Sequence, residues 1–127
     1  MIVLDASAAV SALLRGGPAR DALAAEVVHV PHLVDIEVLS ALRRCASSGQ
    51  VADSAAAEAL HTWRRLGVTR YPVVGLLGRM WELRANVTAY DAAYVALAET
   101  LGCAVVTADA RLARAPGLRC PVTVVPR

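Results

Sequence analysis

Four carboxylates stand where an α/β chain would gather its chemistry. Asp5 follows directly on the apolar run Ile2-Val3-Leu4, and Asp109 lies two residues past a strand expected to end near Val106 or Thr107. Open parallel sheets bind ligands beyond the carboxyl ends of their strands, so both residues belong on the ligand-binding edge. Asp91 sits near the start of a helix expected over Thr88 to Leu101 and heads a stripe, with Tyr94, Val95, Ala98 and Leu101, whose other members are apolar. Such a carboxylate points toward the rim of the core. Glu37 and Asp35 share a helix expected from His32 to Ser48. On a helical wheel Glu37 falls near Arg44 at the border of the polar arc, a position suited to an exposed ion pair. Asp35 falls among Val38, Leu39, Leu42 and Ala46, where a favourable interaction with the helix N-terminus is explanation enough.

Each of these residues also has a purely structural use. Asp5 and Asp109 precede helices and would serve as N-caps. Thr88-Ala89-Tyr90-Asp91 has the outline of a capping box, although that motif prefers Glu or Gln at its last position. What favours chemistry is the combination, because no Ser-His-Asp set and no glycine fingerprint is present while several carboxylates are expected on one edge. Hard divalent cations take oxygen ligands, and a cation relieves the mutual repulsion of clustered carboxylates. The implied chemistry is phosphodiester hydrolysis by a metal-activated water, with a cation stabilising the leaving oxygen.

Composition removes most competitors. All 13 basic side chains are arginine, and without lysine a Walker-type phosphate loop, a Schiff-base enzyme and a lysine-assisted aspartyl-phosphate enzyme are excluded. Cys45, Cys103 and Cys120 are odd in number and widely spaced, which suggests buried free thiols rather than a disulfide framework or a zinc knuckle. His29 and His32 are separated by Pro31, and His61 is remote, so no histidine metal site is expected. The chain is 57% apolar with a mean hydropathy of +0.49. Its longest stretches free of charged residues, Ala6 to Leu14 and Thr100 to Ala108, nevertheless span only nine residues, against about 20 for a membrane-crossing helix. A cytoplasmic protein without a membrane segment is expected, its 127 residues forming a single domain over 1–127.

The elements that must position the carboxylates alternate in type. Strands are expected at Ile2 to Leu4, Val27 to Val30 (closed by Pro31), Thr69 to Tyr71, Ala104 to Thr107 and Val122 to Val125. Between them fall helices from Ala6 to Leu14, Pro18 to Glu26, His32 to Ser48, Ala52 to Leu66, Val74 to Arg84, Thr88 to Leu101 and Asp109 to Ala115, most of them ended by glycine. Short apolar strands without period-2 polarity, alternating with helices, predict an α/β fold: a three-layer α/β/α arrangement with a central parallel sheet of four to five short strands and helices on both faces.

Four blocks of the sequence resemble one family, in that family's order. They are Val3-Leu4-Asp5-Ala6-Ser7-Ala8, the segment Glu37 to Arg44, the segment Leu83 to Glu99 with its Thr-Ala-Tyr-Asp core, and Val106-Thr107-Ala108-Asp109-Ala110-Arg111-Leu112. Together they resemble the PIN-domain ribonucleases, specifically the VapC toxins of type II toxin-antitoxin systems. The resemblance places Asp5, Glu37, Asp91 and Asp109 at the acidic positions that hold Mg²⁺ or Mn²⁺, and Ser7 and Thr107 at the hydroxyl positions beside the first and last of them. It selects Glu37 over Asp35, whose role it leaves open. It implies an RNA substrate, a homodimer, and a cognate VapB antitoxin whose C-terminal segment wraps the toxin and blocks its site.

On the substrate side, 13 arginines face 11 acids, and setting aside the four candidate ligands leaves seven, an excess of +6. Arg43, Arg44, Arg111 and Arg114 are the candidates for phosphate contact, with Arg64 and Arg65. Five aromatic residues and no phenylalanine make a base-stacking platform an unsuitable model. Two competing functions remain open: a PIN-like nuclease acting on structured DNA, for which the chain is short of threading helices, and an inactive PIN-like module that only binds a partner, against which the intact carboxylates argue.

Overall fold

A computed structural model describes all 127 residues. The strands are β1 (Ile2–Leu4), β2 (Val28–Pro31), β3 (Thr69–Tyr71), β4 (Ala104–Thr107) and β5 (Val122–Val124). The helices are α1 (Ala6–Arg15), α2 (Gly17–Ala25), α3 (Val34–Ser47), α4 (Asp53–Arg65), α5 (Leu77–Glu82), α6 (Ala89–Leu101) and α7 (Ala110–Ala113), with one 3₁₀ turn over Val74–Leu76. All five strands run parallel in the order β3-β2-β1-β4-β5. β1 is therefore central, and its three residues are fully or almost fully buried, as an unbroken Ile-Val-Leu run requires.

This order fixes where the site must lie. From β1 the chain first steps outward through β2 to β3, then returns to the other side of β1 for β4 and β5. Right-handed crossovers in opposite directions put their helices on opposite faces. Helices α1 to α4 accordingly pack among themselves on one side, while α6 lies across β1, β2 and β4. The direction reverses between β1 and β4, so Asp5 and the Thr107–Asp109 segment flank the crevice at the topological switch point. The Asp5 amide carries the ladder one step past β1 by donating to the Val106 carbonyl at 3.0 Å.

Helix α6 is more deeply set than its predicted stripe. Every residue from Ala92 to Ala98 is buried, because small alanines on the flanks of Tyr94, Val95 and Leu97 let neighbours close in all round. Thr88 caps it, its hydroxyl accepting from the Asp91 amide at 3.1 Å, and Gly102 ends it at φ 69°, the left-handed conformation a side chain would resist. Three expectations are corrected. The helix expected over Val74 to Arg84 is broken into the 3₁₀ turn and the six residues of α5. Pro31 belongs to β2 rather than closing it; the ladder with β1 ends at His29, so the missing N–H breaks no pairing there, and the next amide, of His32, donates to the Tyr71 carbonyl at 2.9 Å. Leu39, grouped on the wheel with Val38 and Leu42, is 47% exposed, whereas Val38 and Leu42 are buried together with Val34.

Candidate active site

Asp5 does two jobs at once. As N-cap of α1 its Oδ1 accepts from the Ala8 amide at 2.9 Å, and it also accepts from the Ser7 hydroxyl at 2.7 Å. Its Oδ2 accepts from the Thr107 hydroxyl at 2.5 Å, across a hundred residues of sequence. Ser7 Oγ in turn accepts from the Ala108 amide at 2.9 Å, and Thr107 Oγ1 from the Asp109 amide at 3.0 Å. These hydroxyls lace the end of β4 to the start of α1 and leave Asp5 only 5% exposed. Burial pushes the Asp5 carboxyl above its ordinary range, the three hydrogen bonds pull it partly back, and the charge of Asp109 adds to the rise.

Asp109 also caps a helix, α7, accepting from the Arg111 amide at 3.0 Å. The Arg111 guanidinium grips the same carboxylate from the front, with Nε 3.0 Å from Oδ1 and Nη2 2.8 Å from Oδ2. That fork holds Asp109 down to about 2. Asp91, in the first turn of α6, is raised instead, first by burial and then by the charges of Asp5 and Asp109. Glu37 is half-buried and accepts from the Tyr94 hydroxyl at 2.6 Å. Burial raises it most, Tyr94 pulls it back, and Asp91 and Asp5 raise it further.

The four predicted carboxylates are thus brought into one electrostatic cluster in which each of the three raised groups is pushed by another member. They are not yet a cage, since no three of the His, Cys, Asp and Glu side chains converge on a common ligating point. Each of three is engaged locally, Asp5 by hydroxyls, Glu37 by Tyr94 and Asp109 by Arg111. The donor set itself fits a hard cation, being all oxygen, close to the core and mutually repulsive.

Structure also corrects several sequence expectations here. Glu37 has no ion pair with Arg44, which donates instead to Ser40 Oγ at 2.9 Å. Asp35 does more than face a helix end: it accepts from Trp63 Nε1 at 2.8 Å and from both arms of the Arg70 fork at 2.8 and 2.9 Å. Arg70 therefore holds it below the ordinary carboxylate range, and Asp35 is a structural tie between α3, α4 and β3. Tyr94 was counted among apolar residues, yet a buried phenol needs a partner for its hydroxyl, and that was the available signal. The cysteines are partly exposed rather than buried, and all three are free. Among the arginine candidates, Arg44 borders a groove beside Ser7, Arg111 borders a cleft with Asp91 and Asp109, and Arg43 and Arg114 line neither.

The model of the PIN domain matches residues 2–118. The chain belongs to the PIN-domain family. Among curated relatives of this PIN domain, Ribonuclease VapC9 of Mycobacterium tuberculosis is 61% identical over 127 residues, covering all of both chains. Among solved structures, VapC20 of M. tuberculosis, described as a Sarcin-Ricin loop cleaving toxin, superposes with a TM-score of 0.69 at 20% identity, over 90% of this chain and 94% of that one. VapBC2 of Rickettsia felis, crystallised on a DNA fragment from its promoter, gives 0.67 at 14% identity over 96% and 98%. The five-stranded parallel sheet with helices is thus the fold of PIN-domain VapC proteins.

Proposed function

We propose that this PIN domain, a single domain over residues 1–127, is a metal-dependent endoribonuclease and the toxin of a type II toxin-antitoxin pair. The observation that carries the reading is the set of four carboxylates at the switch point, in a chain 61% identical end to end to a VapC ribonuclease. Asp5, Glu37, Asp91 and Asp109 would hold the cation, with Mg²⁺ the natural choice and Mn²⁺ a fitting substitute. Bound there, the ion supplies an activated water at neutral pH and a counter-charge for the leaving oxygen. Ser7 and Thr107 orient Asp5, Tyr94 orients Glu37, and Arg111, now paired with Asp109, would be a phosphate contact if Asp109 served the cation.

No helix is long and apolar enough to cross a membrane, and a cytoplasmic site of action accords with an RNA substrate. Large apolar side chains stay exposed on two elements that leave the neighbouring strands β2 and β3: Ile36 at 70% and Leu39 on α3, and Val74, Leu77 and Trp81 along the 3₁₀ turn and α5. A homodimer and a VapB-type antitoxin are the partners that would cover such surface. Sedimentation of the isolated chain as a dimer, and relief of growth arrest by a small neighbouring gene product, are the outcomes these partners require. The activity itself is tested by incubating pure protein with RNA or single-stranded DNA, in Mg²⁺ or EDTA. RNA cleavage that EDTA abolishes is expected; cleavage of DNA alone, or of neither, contradicts the reading.

A further inference from the structure

Between α1 and α3 runs a groove of about 470 Å³, within the ~300–1,000 Å³ range of ligand sites. One of its lining residues is Ser7, whose hydroxyl bonds Asp5 and lies 3.2 Å from the Thr107 hydroxyl, so the groove adjoins the carboxylate cluster through that side chain. Its rim carries Arg15, Arg44 and Arg127 and no acidic side chain. None of the three arginines is in a salt bridge, whereas Arg70, Arg79 and Arg111 elsewhere are all paired with carboxylates. Ser48 and Gln50 add neutral hydrogen-bonding groups at the far end. Arg15 and Arg44 each lie in the last turn of a helix, and an interaction with the helix dipole would account for either alone. It does not account for both lining one concavity that holds Ser7 and no acidic side chain, with Arg127 also lining it and donating to the Ala108 carbonyl at 3.3 Å. Asp91 and Asp109 themselves line a second cleft of about 510 Å³ with Arg84 and Arg111. That cleft is balanced, two arginines against two carboxylates, so the α1/α3 groove is the one whose charged side chains are all basic.

We infer that the α1/α3 groove binds the phosphates of the single-stranded RNA that flanks the scissile bond, with Arg15 and Arg44 as its phosphate contacts. The inference rests on the ribonuclease reading and adds the path of the substrate. Two neighbours in sequence supply the control, because Arg43 is as exposed as Arg44 but does not line the groove.

The test is fluorescence anisotropy of a labelled 12-nucleotide single-stranded RNA in EDTA, over a salt series, with wild type and the variants R15Q, R44Q and R43Q, alongside a poly-glutamate peptide. R15Q and R44Q are each expected to weaken RNA binding roughly tenfold and to lower the salt slope by about 0.7, while R43Q stays within about twofold of wild type. Thermal melting confirms that the variants are folded; all three positions are exposed. Equal loss in R43Q and R44Q, or wild-type binding by R15Q and R44Q, overturns the groove while leaving the ribonuclease reading in place. Loss of peptide binding with RNA binding unchanged makes the groove a site for an acidic polypeptide instead. A wild type that binds no RNA overturns the groove and the ribonuclease reading together.

Discussion

Asp91 and Asp109 are the same residue type in the same cluster, yet their acidities are driven in opposite directions. Asp91, with Asp5 and Glu37, is raised mainly by burial, so its ionised form costs stability at any pH above its folded value, and that cost is relieved as pH falls through it. Asp109 is held down to about 2 by Arg111, so its stabilising contribution is complete above the ordinary carboxylate value and is lost as pH falls through about 2. Arg111→Ala is therefore expected to move Asp109 up toward the ordinary range, which an NMR titration of the side-chain carboxyl reads; an unmoved value would show that α7 capping alone sets its acidity. Asp91→Asn is expected to abolish RNA cleavage while the metal-free protein melts at the wild-type temperature or slightly above it at neutral pH. A large drop in melting temperature would instead mark Asp91 as a structural cap.

At the scale of elements, Asp35 ties the helix that carries Glu37 to α4 and β3. Two residues earlier on α3, Asp35 is bound to Trp63 of α4, which is 2% exposed, and to Arg70 of β3. Asp35→Ala leaves the buried indole N–H unpaired and is expected to cost about 1–3 kcal/mol in urea unfolding, whereas Asp35→Asn, which keeps an acceptor, costs less. Equal losses in the two variants would place the weight on the Arg70 charge. The element order and most helix ends were legible in the sequence because they rest on local signals, such as the Thr88 cap and Gly102. The break before α5 was not, because Val74 to Arg84 carries apolar residues at helical spacing, and Gly75 and Gly78 within it weaken a helix without marking where it breaks. The roles of Asp35 and Glu37 were likewise illegible on a wheel. Their partners, Trp63, Arg70 and Tyr94, come from other elements, which a single-helix projection leaves out. Arg15 and Arg127 went unremarked for the same reason, since only the fold brings the two ends of the chain to one groove.

For the molecule as a whole, the sheet order places the two most distant acidic segments, around Asp5 and Asp109, on either side of one crevice, and α3 and α6 deliver the other two carboxylates to it. If these four residues form one cation site, titration of the purified protein with Mn²⁺, followed by calorimetry, detects it. Wild type and Asp35→Asn are expected to bind the ion alike, while Asp5→Asn and Asp91→Asn, folded as judged by thermal melting, lose that binding. Equal Mn²⁺ binding by all four proteins, or by none, would mean that the four carboxylates do not form such a site.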